Sequence, residues 1–244
     1  MEMETLIEMQ KIYLNQSYGD AFITATLFFI TSYLSSALFL HLISIPIPSK
    51  NKKIKIHIFS KQISFEIYRS FISIFIFGLI YVFLKFLVMH HCIIIKWDWS
   101  FAEIAIEFII LFIWNELHFY FSHKLFHTPF LYKNFHYIHH TSTIPTPFSM
   151  FSFHWVEAIM LGTVLLIPAI IFPFHSISLL ALPIISFVLN ILGHSDINVF
   201  PKKSSDHILR FAYRHSIHHK YKRGNFGFFL TSFDKFFKTS YYDK

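Results

Sequence analysis

The sequence predicts an all-α integral membrane protein, a bundle of four to five spans with a histidine-rich helical cap. Three observations lead to this fold class. Of the 244 residues, 54% are hydrophobic and only 14% are charged, whereas a typical soluble domain has about 25% charged residues. The hydrophobic residues form runs of the roughly 20 residues that a bilayer span needs. Eight of the 17 histidines form three dense clusters just beyond these runs.

Three apolar runs reach the length of a span. The first is Ala21 to Ile47, and the second is Phe71 to Ile95, which Lys85 interrupts. The third, Trp155 to Gly193, is long enough for two crossings. Pro173 lies near its middle and would break a helix there, so this run is predicted to form a hairpin of two short helices.

A shorter apolar run, Phe101 to Leu117, contains Glu103 and Glu107. It is either a further crossing or a helix buried against the others. The end of this run divides the chain into membrane spans over residues 1–117 and a histidine-rich region over residues 118–244, which includes the hairpin at 155–193.

Basic residues favour the crossing. Six lie in the segment 48–70, two in the segment 118–154 and ten in the tail from His194, whereas the first 20 residues hold only Lys11. If Phe101 to Leu117 crosses the bilayer, the three basic segments share one side, which the positive-inside rule makes cytoplasmic. This gives five crossings with the N-terminus outside. The net charge of +7 then reflects topology and lipid contact, and no nucleic-acid partner is expected.

The histidines are unevenly distributed, since 13 of the 17 lie between residues 118 and 219. Three short motifs, HKLFH, HYIHH and HSIHH, hold eight of them at spacings of three and four residues, which place side chains on one face of a helix. These are His123, His127, His136, His139, His140, His215, His218 and His219. Two isolated histidines, His154 and His194, flank the predicted hairpin.

Eight clustered imidazoles exceed what one ion can use, so two metal ions are the simpler interpretation. The alternative is a metal-ion transporter or another metal-binding membrane protein. A transporter would be expected to carry its ligands inside the spans. The first two predicted spans offer only His41, His90 and His91, while the motifs lie just outside the spans.

The residues from Glu116 to Tyr241 resemble the fatty acid hydroxylase and sterol desaturase superfamily, whose members carry three histidine boxes. The resemblance extends beyond the three motifs. It includes Glu116 and Tyr120 before the first box, HWVE at 154–157, GHSD at 193–196, Asn190 one turn before His194, Asn225-Phe226-Gly227, and Phe233-Asp234. Lys124, Phe233 and Lys238 depart from the usual Arg, Trp and Gly of the family pattern. None of these departures removes a candidate ligand.

The resemblance implies a dinuclear non-haem iron centre, for which zinc could substitute in purified material, that uses O2 to oxidise a C–H bond of a lipid. The implied ligands are His123, His127, His136, His139, His140, His194, His215, His218 and His219. Asn190 is implied to hold a metal-bound water or to support a ligand, and His154 or His118 could complete the ligand set. Ligating imidazoles usually donate their other N–H to an acceptor. Candidates for that acceptor are Glu116, Glu157, Asp196 and Asp234.

The same resemblance implies partners. The substrate would be a sterol or a fatty acyl-type lipid entering from the bilayer, and the product would carry a hydroxyl group or a new double bond. Nearly every residue belongs to a span or a histidine-bearing segment, so electrons are expected from a separate small cytochrome or ferredoxin with its NAD(P)H reductase. A bacterial inner membrane and an endoplasmic reticulum both fit, with the histidines on the cytoplasmic side.

Overall fold

The computed structural model describes residues 2–44, 61–195, 197 and 200–241. Within these residues, four helices are long and apolar enough to cross a membrane. They are α2 (Tyr18–Ser44), α3 (Gln62–Met89), α4 (Phe101–Phe126) and α8 (Ser176–Gly193). A shorter helix, α1 (Glu2–Leu14), precedes them. The architecture is mostly helical, as predicted, and fits an integral membrane protein.

The predicted hairpin is present, but its first arm is interrupted. It consists of α6 (Trp155–Gly162) and α7 (Leu166–Ile171), neither of which is long enough to span a membrane. The described residues therefore contain four helices of spanning length, fewer than the five predicted crossings. The chain leaves helical geometry at Phe172, just before Pro173, since a residue preceding proline is pushed towards extended backbone.

A two-stranded parallel sheet closes the turn of the hairpin. Strand β2 (Phe174–His175) pairs with β1 (Ile95–Lys96), which lies just before α4. The chain thus passes along the bundle through α6 and α7 and returns through α8. This pairing places His175 at the N-terminal end of α4, away from the histidine motifs.

Two helices extend beyond their predicted bounds because hydropathy does not register polar side chains that face protein. Helix α3 begins nine residues before Phe71, and Gln62, Glu66 and Ser70 are buried in its added part. Helix α4 continues nine residues past Leu117, so that the first histidine motif lies at its C-terminal end. The predicted division between residues 117 and 118 therefore falls inside a continuous helix.

The histidine-bearing cap is made of short elements. After α4 come α5 (Pro129–Asn134) and two 3₁₀ helices, His136–Thr141 and Pro147–Phe151. After α8 come a 3₁₀ turn, Ile208–Arg210, then α9 (Phe211–Tyr221) and α10 (Ser232–Phe236). The second motif is thus a 3₁₀ helix, while the third lies on α9.

The cap is fixed to α2 and α3 by hydrogen bonds and by buried apolar side chains. The Tyr33 hydroxyl of α2 donates to the Phe148 carbonyl at 2.8 Å, and the Arg69 guanidinium of α3 donates to the Phe153 carbonyl at 2.9 Å. Tyr33, Ile74 and Met150 are fully buried where α2, α3 and the second 3₁₀ helix meet. The outer faces of the long helices expose large apolar side chains, which suits a lipid environment.

Candidate metal centre

The first group of histidines contains five residues from all three motifs: His123, His127, His136, His140 and His218. The Nε2 atom of His127 lies 3.0 Å from that of His218, 3.1 Å from that of His136 and 3.2 Å from that of His140. The Nε2 atom of His140 lies 3.1 Å from those of His136 and His218. Two nitrogens each about 2.1 Å from one ion would lie roughly 3.0 to 3.4 Å apart, so these separations suit a shared metal.

Hydrogen bonding alone does not account for this arrangement. A neutral imidazole carries one N–H, and that of His218 lies on Nδ1, which donates to the Gly224 carbonyl at 2.6 Å. Only His127, His136 and His140 can therefore supply a proton between the converging Nε2 atoms. Three protons serve at most three of the five short contacts. The remaining contacts bring lone pairs together, which a bound cation would stabilise.

The second group contains His139, His194, His215 and His219. The Nε2 atom of His215 lies 3.0 Å from those of His194 and His219, and the Nε2 atom of His194 lies 3.4 Å from that of His139. The two groups adjoin, since the rings of His140 and His219 are 4.7 Å apart. The structure thus brings the nine histidines of the implied ligand set into two neighbouring groups, each able to hold one ion.

Five of the nine rings have a fixed acceptor at the outward nitrogen, Nδ1. His123 Nδ1 lies 2.9 Å from the Phe226 carbonyl, and His219 Nδ1 lies 2.9 Å from the Ser142 carbonyl. His136 Nδ1 lies 2.8 Å from a carboxylate oxygen of Glu157. Acceptors of this kind set the orientation of a ligating ring and leave Nε2 free for a metal.

Two of the four candidate carboxylates hold the backbone segment that contacts the rings. Glu116 accepts the backbone N–H groups of Phe229 and Leu230, at 3.0 and 2.7 Å. Asp234 accepts those of Phe226 and Gly227, at 2.9 and 2.8 Å. These two carboxylates hold the segment 224–230, whose carbonyls at 224 and 226 contact His218 and His123. Asp196 lies outside the described residues.

The other candidate residues lie at the margin of the two groups. Asn190 donates its side-chain N–H to the Met150 carbonyl at 2.9 Å, while its backbone carbonyl oxygen lies 2.8 Å from His194 Nδ1. His154 is half-buried at the start of α6, where its Nδ1 accepts the Val156 N–H. His118 faces the cavity described below. Neither His154 nor His118 belongs to either histidine group.

Burial keeps the imidazoles of the cap neutral. It lowers the pKa of His136, His139 and His140 well below 6.5, and the neighbouring imidazoles lower it further. The same two causes lower the pKa of His215 and His218. Because a metal binds the neutral form of imidazole, these ligands need not lose a proton at neutral pH.

Glu66 supports the histidine groups and is not among the residues predicted from the sequence. Glu66 of α3 is fully buried and accepts hydrogen bonds from Ser142 Oγ at 2.7 Å, from Gln62 Nε2 at 2.7 Å and from the Thr146 hydroxyl. It thereby fixes the loop whose Ser142 carbonyl contacts His219. The spacing of polar residues at 62, 66 and 70 along one face of an otherwise apolar helix is the signal that could have indicated it.

A cavity of about 280 Å³ adjoins the histidine groups. His139, His194 and His215 line one part of it, and side chains of α2, α3, α4, α6, α8 and the second 3₁₀ helix line most of the rest. Most of these side chains are apolar, and they include Phe29, Phe77, Phe151 and Phe187. The candidate metal centre therefore has access to an apolar space inside the bundle.

Residues 108–239 match the family model described as fatty acid hydroxylase. The match covers more than half of the chain and includes all nine clustered histidines. The chain belongs to the fatty acid hydroxylase family. No curated protein and no solved structure matches it.

Membership in the fatty acid hydroxylase family implies oxidoreductase activity at a membrane. The family is known for its use of iron. The donor set fits that metal, since imidazole is a common ligand of iron. The matched region begins inside α4 and therefore includes the supporting carboxylates of Glu116, Glu157 and Asp234 as well as the three motifs.

Proposed function

We propose that this fatty acid hydroxylase family member is a di-iron, O2-dependent oxidoreductase that hydroxylates or desaturates a sterol or fatty acyl-type lipid. One observation carries the proposal: two adjoining groups of buried imidazoles, with Nε2 atoms 3.0 to 3.4 Å apart, lie at the wall of an apolar cavity. The five-histidine group would hold one iron and the four-histidine group the other. Bound iron supplies the O2 chemistry that no amino-acid side chain can perform on an unactivated C–H bond.

The chain's own residues would orient the metal ligands and exclude water from the centre. The acceptors at Nδ1 hold the rings, and eight of the nine histidines are buried, which limits access of water to the centre. Phenylalanines of the cavity provide a surface for a hydrocarbon chain or ring system. The few polar groups in the cavity wall, such as Asn115, Asn190 and Ser186, would orient the substrate.

The lipid substrate would enter from the bilayer, because the cavity lies among the helices of spanning length. We further propose that electrons come from a separate small cytochrome or ferredoxin with its NAD(P)H reductase. Exposed basic residues of the cap, Lys202, Lys203, Lys222 and Arg223, would attract an acidic donor protein. The same basic residues favour a cytoplasmic cap under the positive-inside rule.

Lipid analysis of cells expressing the chain tests the proposed function. Wild-type cells should accumulate a lipid that has gained one oxygen atom or lost two hydrogen atoms, in an O2-dependent manner. His139→Ala should abolish this product and reduce bound iron. The matched control is His90→Ala, because His90 is exposed and lies outside both groups. Absence of any modified lipid, with iron bound and a donor present, would contradict the proposal.

The transporter alternative makes a different prediction, namely metal flux into vesicles that depends on His136. The structure offers it little support, because the nine clustered histidines all lie at one end of the bundle. Within the described residues, α2 and α3 contribute only His41 as a histidine, and neither helix takes part in a metal-binding group. Flux measurements on the wild type and His136→Ala would decide between the two functions.

A further inference from the structure

A third group of side chains able to hold a metal ion lies at the opposite end of α4. It consists of Glu103 and Glu107, on the first two turns of α4, and His175, which immediately precedes α8. Glu103 and His123 are 20 residues apart on one helix, a separation of about 30 Å. This group is therefore independent of the nine clustered histidines.

His175 has a defined tautomer. Its Nδ1 lies 2.9 Å from Glu107 Oε1, and its backbone N–H donates to Glu107 Oε2 at 2.8 Å. The same carboxylate also accepts from the Lys96 ammonium at 3.1 Å. An ionised carboxylate can only accept hydrogen bonds, so His175 must donate from Nδ1. In the neutral imidazole, the form that binds a metal, Nε2 then presents a lone pair.

That lone pair is buried and lacks a hydrogen-bond partner. The His175 side chain is fully buried, and its Nε2 has no donor within hydrogen-bonding distance. Two carboxylate oxygens, Asp98 Oδ1 and Glu103 Oε2, each lie 3.9 Å from this Nε2. These oxygens are acceptors too, so three electron-pair donors face one another. Such an arrangement would be stabilised by a cation between them.

We propose that His175, Asp98 and Glu103 bind a zinc ion, with Glu107 orienting the His175 ring. The mixed donor set argues for zinc, which accepts imidazole nitrogen together with carboxylate oxygen. Calcium and magnesium prefer sites made of oxygen atoms only. A carboxylate that accepts the outer N–H of a zinc-binding histidine is the usual supporting arrangement, and Glu107 occupies that position.

The local charge is also suitable. Asp98, Glu103 and Glu107 contribute three negative charges, and Lys96 contributes one positive charge, which leaves a net charge of −2 for a divalent ion to neutralise. Lys96 Nζ lies 3.3 Å from Glu103 Oε2, so the ammonium competes for the same carboxylate. Its side chain is 35% exposed and can move into solvent when the ion binds.

A zinc ion here would connect three parts of the fold. Asp98 lies on the loop after β1, Glu103 lies on the first turn of α4, and His175 ends β2. The two parallel strands provide only two residues each, so their pairing is weak by itself. The ion would fasten the turn of the α6–α7–α8 hairpin to the start of α4.

The test measures zinc bound by the iron-loaded full chain in detergent. Zinc chloride is added, free metal is removed, and zinc per chain is determined by mass spectrometry. The wild type should retain one zinc more than the double variant Asp98→Asn, Glu103→Gln. Asp98 and Glu103 are mostly exposed, so these substitutions should leave the packing intact. The control, Glu8→Gln, removes an exposed carboxylate from α1 and should match the wild type.

Two further measurements complete the test. Added zinc should raise the melting temperature of the wild type and leave that of the double variant unchanged, because a ligand that binds only the folded state stabilises it. Lys96→Met should lower the dissociation constant for zinc by removing the competing ammonium. Equal zinc content in the wild type and the double variant would overturn the proposal and leave Lys96 as the cation that these carboxylates bind. Lipid products are not measured, so the result is independent of the proposed oxidoreductase activity.

Discussion

At the scale of single residues, the acceptors of the imidazole N–H groups are not equivalent. His123, His194, His218 and His219 face backbone carbonyls, whereas His136 faces the carboxylate of Glu157. Burial raises the pKa of Glu157 well above its usual value, so the positive charge of a bound metal ion would be needed to keep this carboxylate ionised. With the ion bound, a negative charge on the acceptor makes the ring a stronger ligand than a neutral carbonyl does. The affinity of the five-histidine group should therefore depend more on Glu157 than on any of these carbonyls.

Glu157→Gln tests this dependence. The amide oxygen of Gln can still accept the His136 N–H but contributes no charge, so we expect iron affinity and product formation to fall about 10- to 100-fold. Iron per chain and the rate of lipid oxidation should be measured together. Glu8→Gln serves as the control, because Glu8 is exposed and pairs only with Lys11 in the described structure. Unchanged iron content in Glu157→Gln would contradict the assigned role.

Gly193 supports the metal centre because it has no side chain. A Cβ atom added there would lie 2.3 Å from Phe228 Cζ, and the Phe228 ring packs 4.9 Å from the ring of His215. Gly193→Ala should therefore displace Phe228, lower the free energy of unfolding by about 1 to 3 kcal/mol and weaken iron binding. Gly19→Ala is the control, since its added Cβ meets only Ser17 Oγ at 3.8 Å. Equal melting temperatures for the two variants would show that Phe228 adapts without cost.

At the scale of elements, hydropathy predicts the long helices well where they face lipid and poorly where they face protein. The start of α4 at Phe101 is predicted correctly, because apolar side chains such as Phe101 and Ile106 are exposed near its beginning. The start of α3 at Gln62 is missed, because Gln62, Glu66 and Ser70 are polar yet buried. The 3₁₀ geometry of His136–Thr141 is likewise not predictable from spacing, since residues three and four apart also share a face in an α-helix.

The segment 224–230 illustrates how an element without regular structure supports the centre. Asp234 holds it by accepting two backbone N–H groups and the Thr239 hydroxyl at 2.7 Å. Asp234→Ala would leave the two backbone N–H groups unpaired, so we expect the free energy of unfolding to fall by about 1.5 to 3 kcal/mol, with loss of iron. Thermal unfolding in detergent and iron analysis would measure both effects.

The control for this prediction is Asp206→Ala. Asp206 also makes a short contact, with Lys235 Nζ at 2.7 Å, but both side chains are well exposed. Exposed ion pairs contribute about 1 kcal/mol or less. The role of the segment would be refuted if Asp206→Ala and Asp234→Ala had equal effects on stability and iron content.

At the scale of the whole molecule, the clustering of the histidines is predictable, whereas their division into groups is not. The sequence places three motifs beyond the spans, and the spacing of three and four residues indicates that the histidines of each motif lie on one face of a helix. The five-histidine group nevertheless takes two residues from the first motif, two from the second and only His218 from the third. That division depends on how α4, the first 3₁₀ helix and α9 pack, which no local pattern encodes.

The many buried neutral imidazoles should make the stability of the iron-free protein sensitive to pH. Burial lowers the folded-state pKa of residues such as His136 and His215 well below the unfolded value of 6.5. Above pH 6.5 both states are neutral at these rings, and stability should not vary because of them. As the pH falls below 6.5, the unfolded state binds protons that the folded state does not. Each such histidine then lowers the free energy of unfolding by about 1.4 kcal/mol per pH unit.

Melting temperatures of the iron-free protein in detergent, measured from about pH 8 to pH 5, would test this pH dependence. We expect little change above pH 6.5 and a steep fall below it. Iron should raise the melting temperature throughout the neutral range, since it binds the folded state. A melting temperature that stays constant down to pH 5 would show that the imidazoles are protonated in the folded protein.

The position of the cavity leads to a final prediction about the substrate. Ser186 lies in the cavity wall on α8, where its hydroxyl contacts Asn115 Oδ1 at 3.3 Å. Ser186→Leu adds apolar volume inside the cavity, so it should reduce oxidation of the longest or bulkiest substrates first and leave iron content unchanged. Ser35→Leu makes the same substitution at an exposed position of α2 and should have no effect on substrate choice. In Ser186→Leu the new side chain faces the cavity, whereas in Ser35→Leu it faces the outer surface of the bundle. A change of substrate choice confined to Ser186→Leu would therefore show that the lipid binds among the helices. Equal product profiles would instead mean that the substrate reaches the histidines by a route outside the bundle.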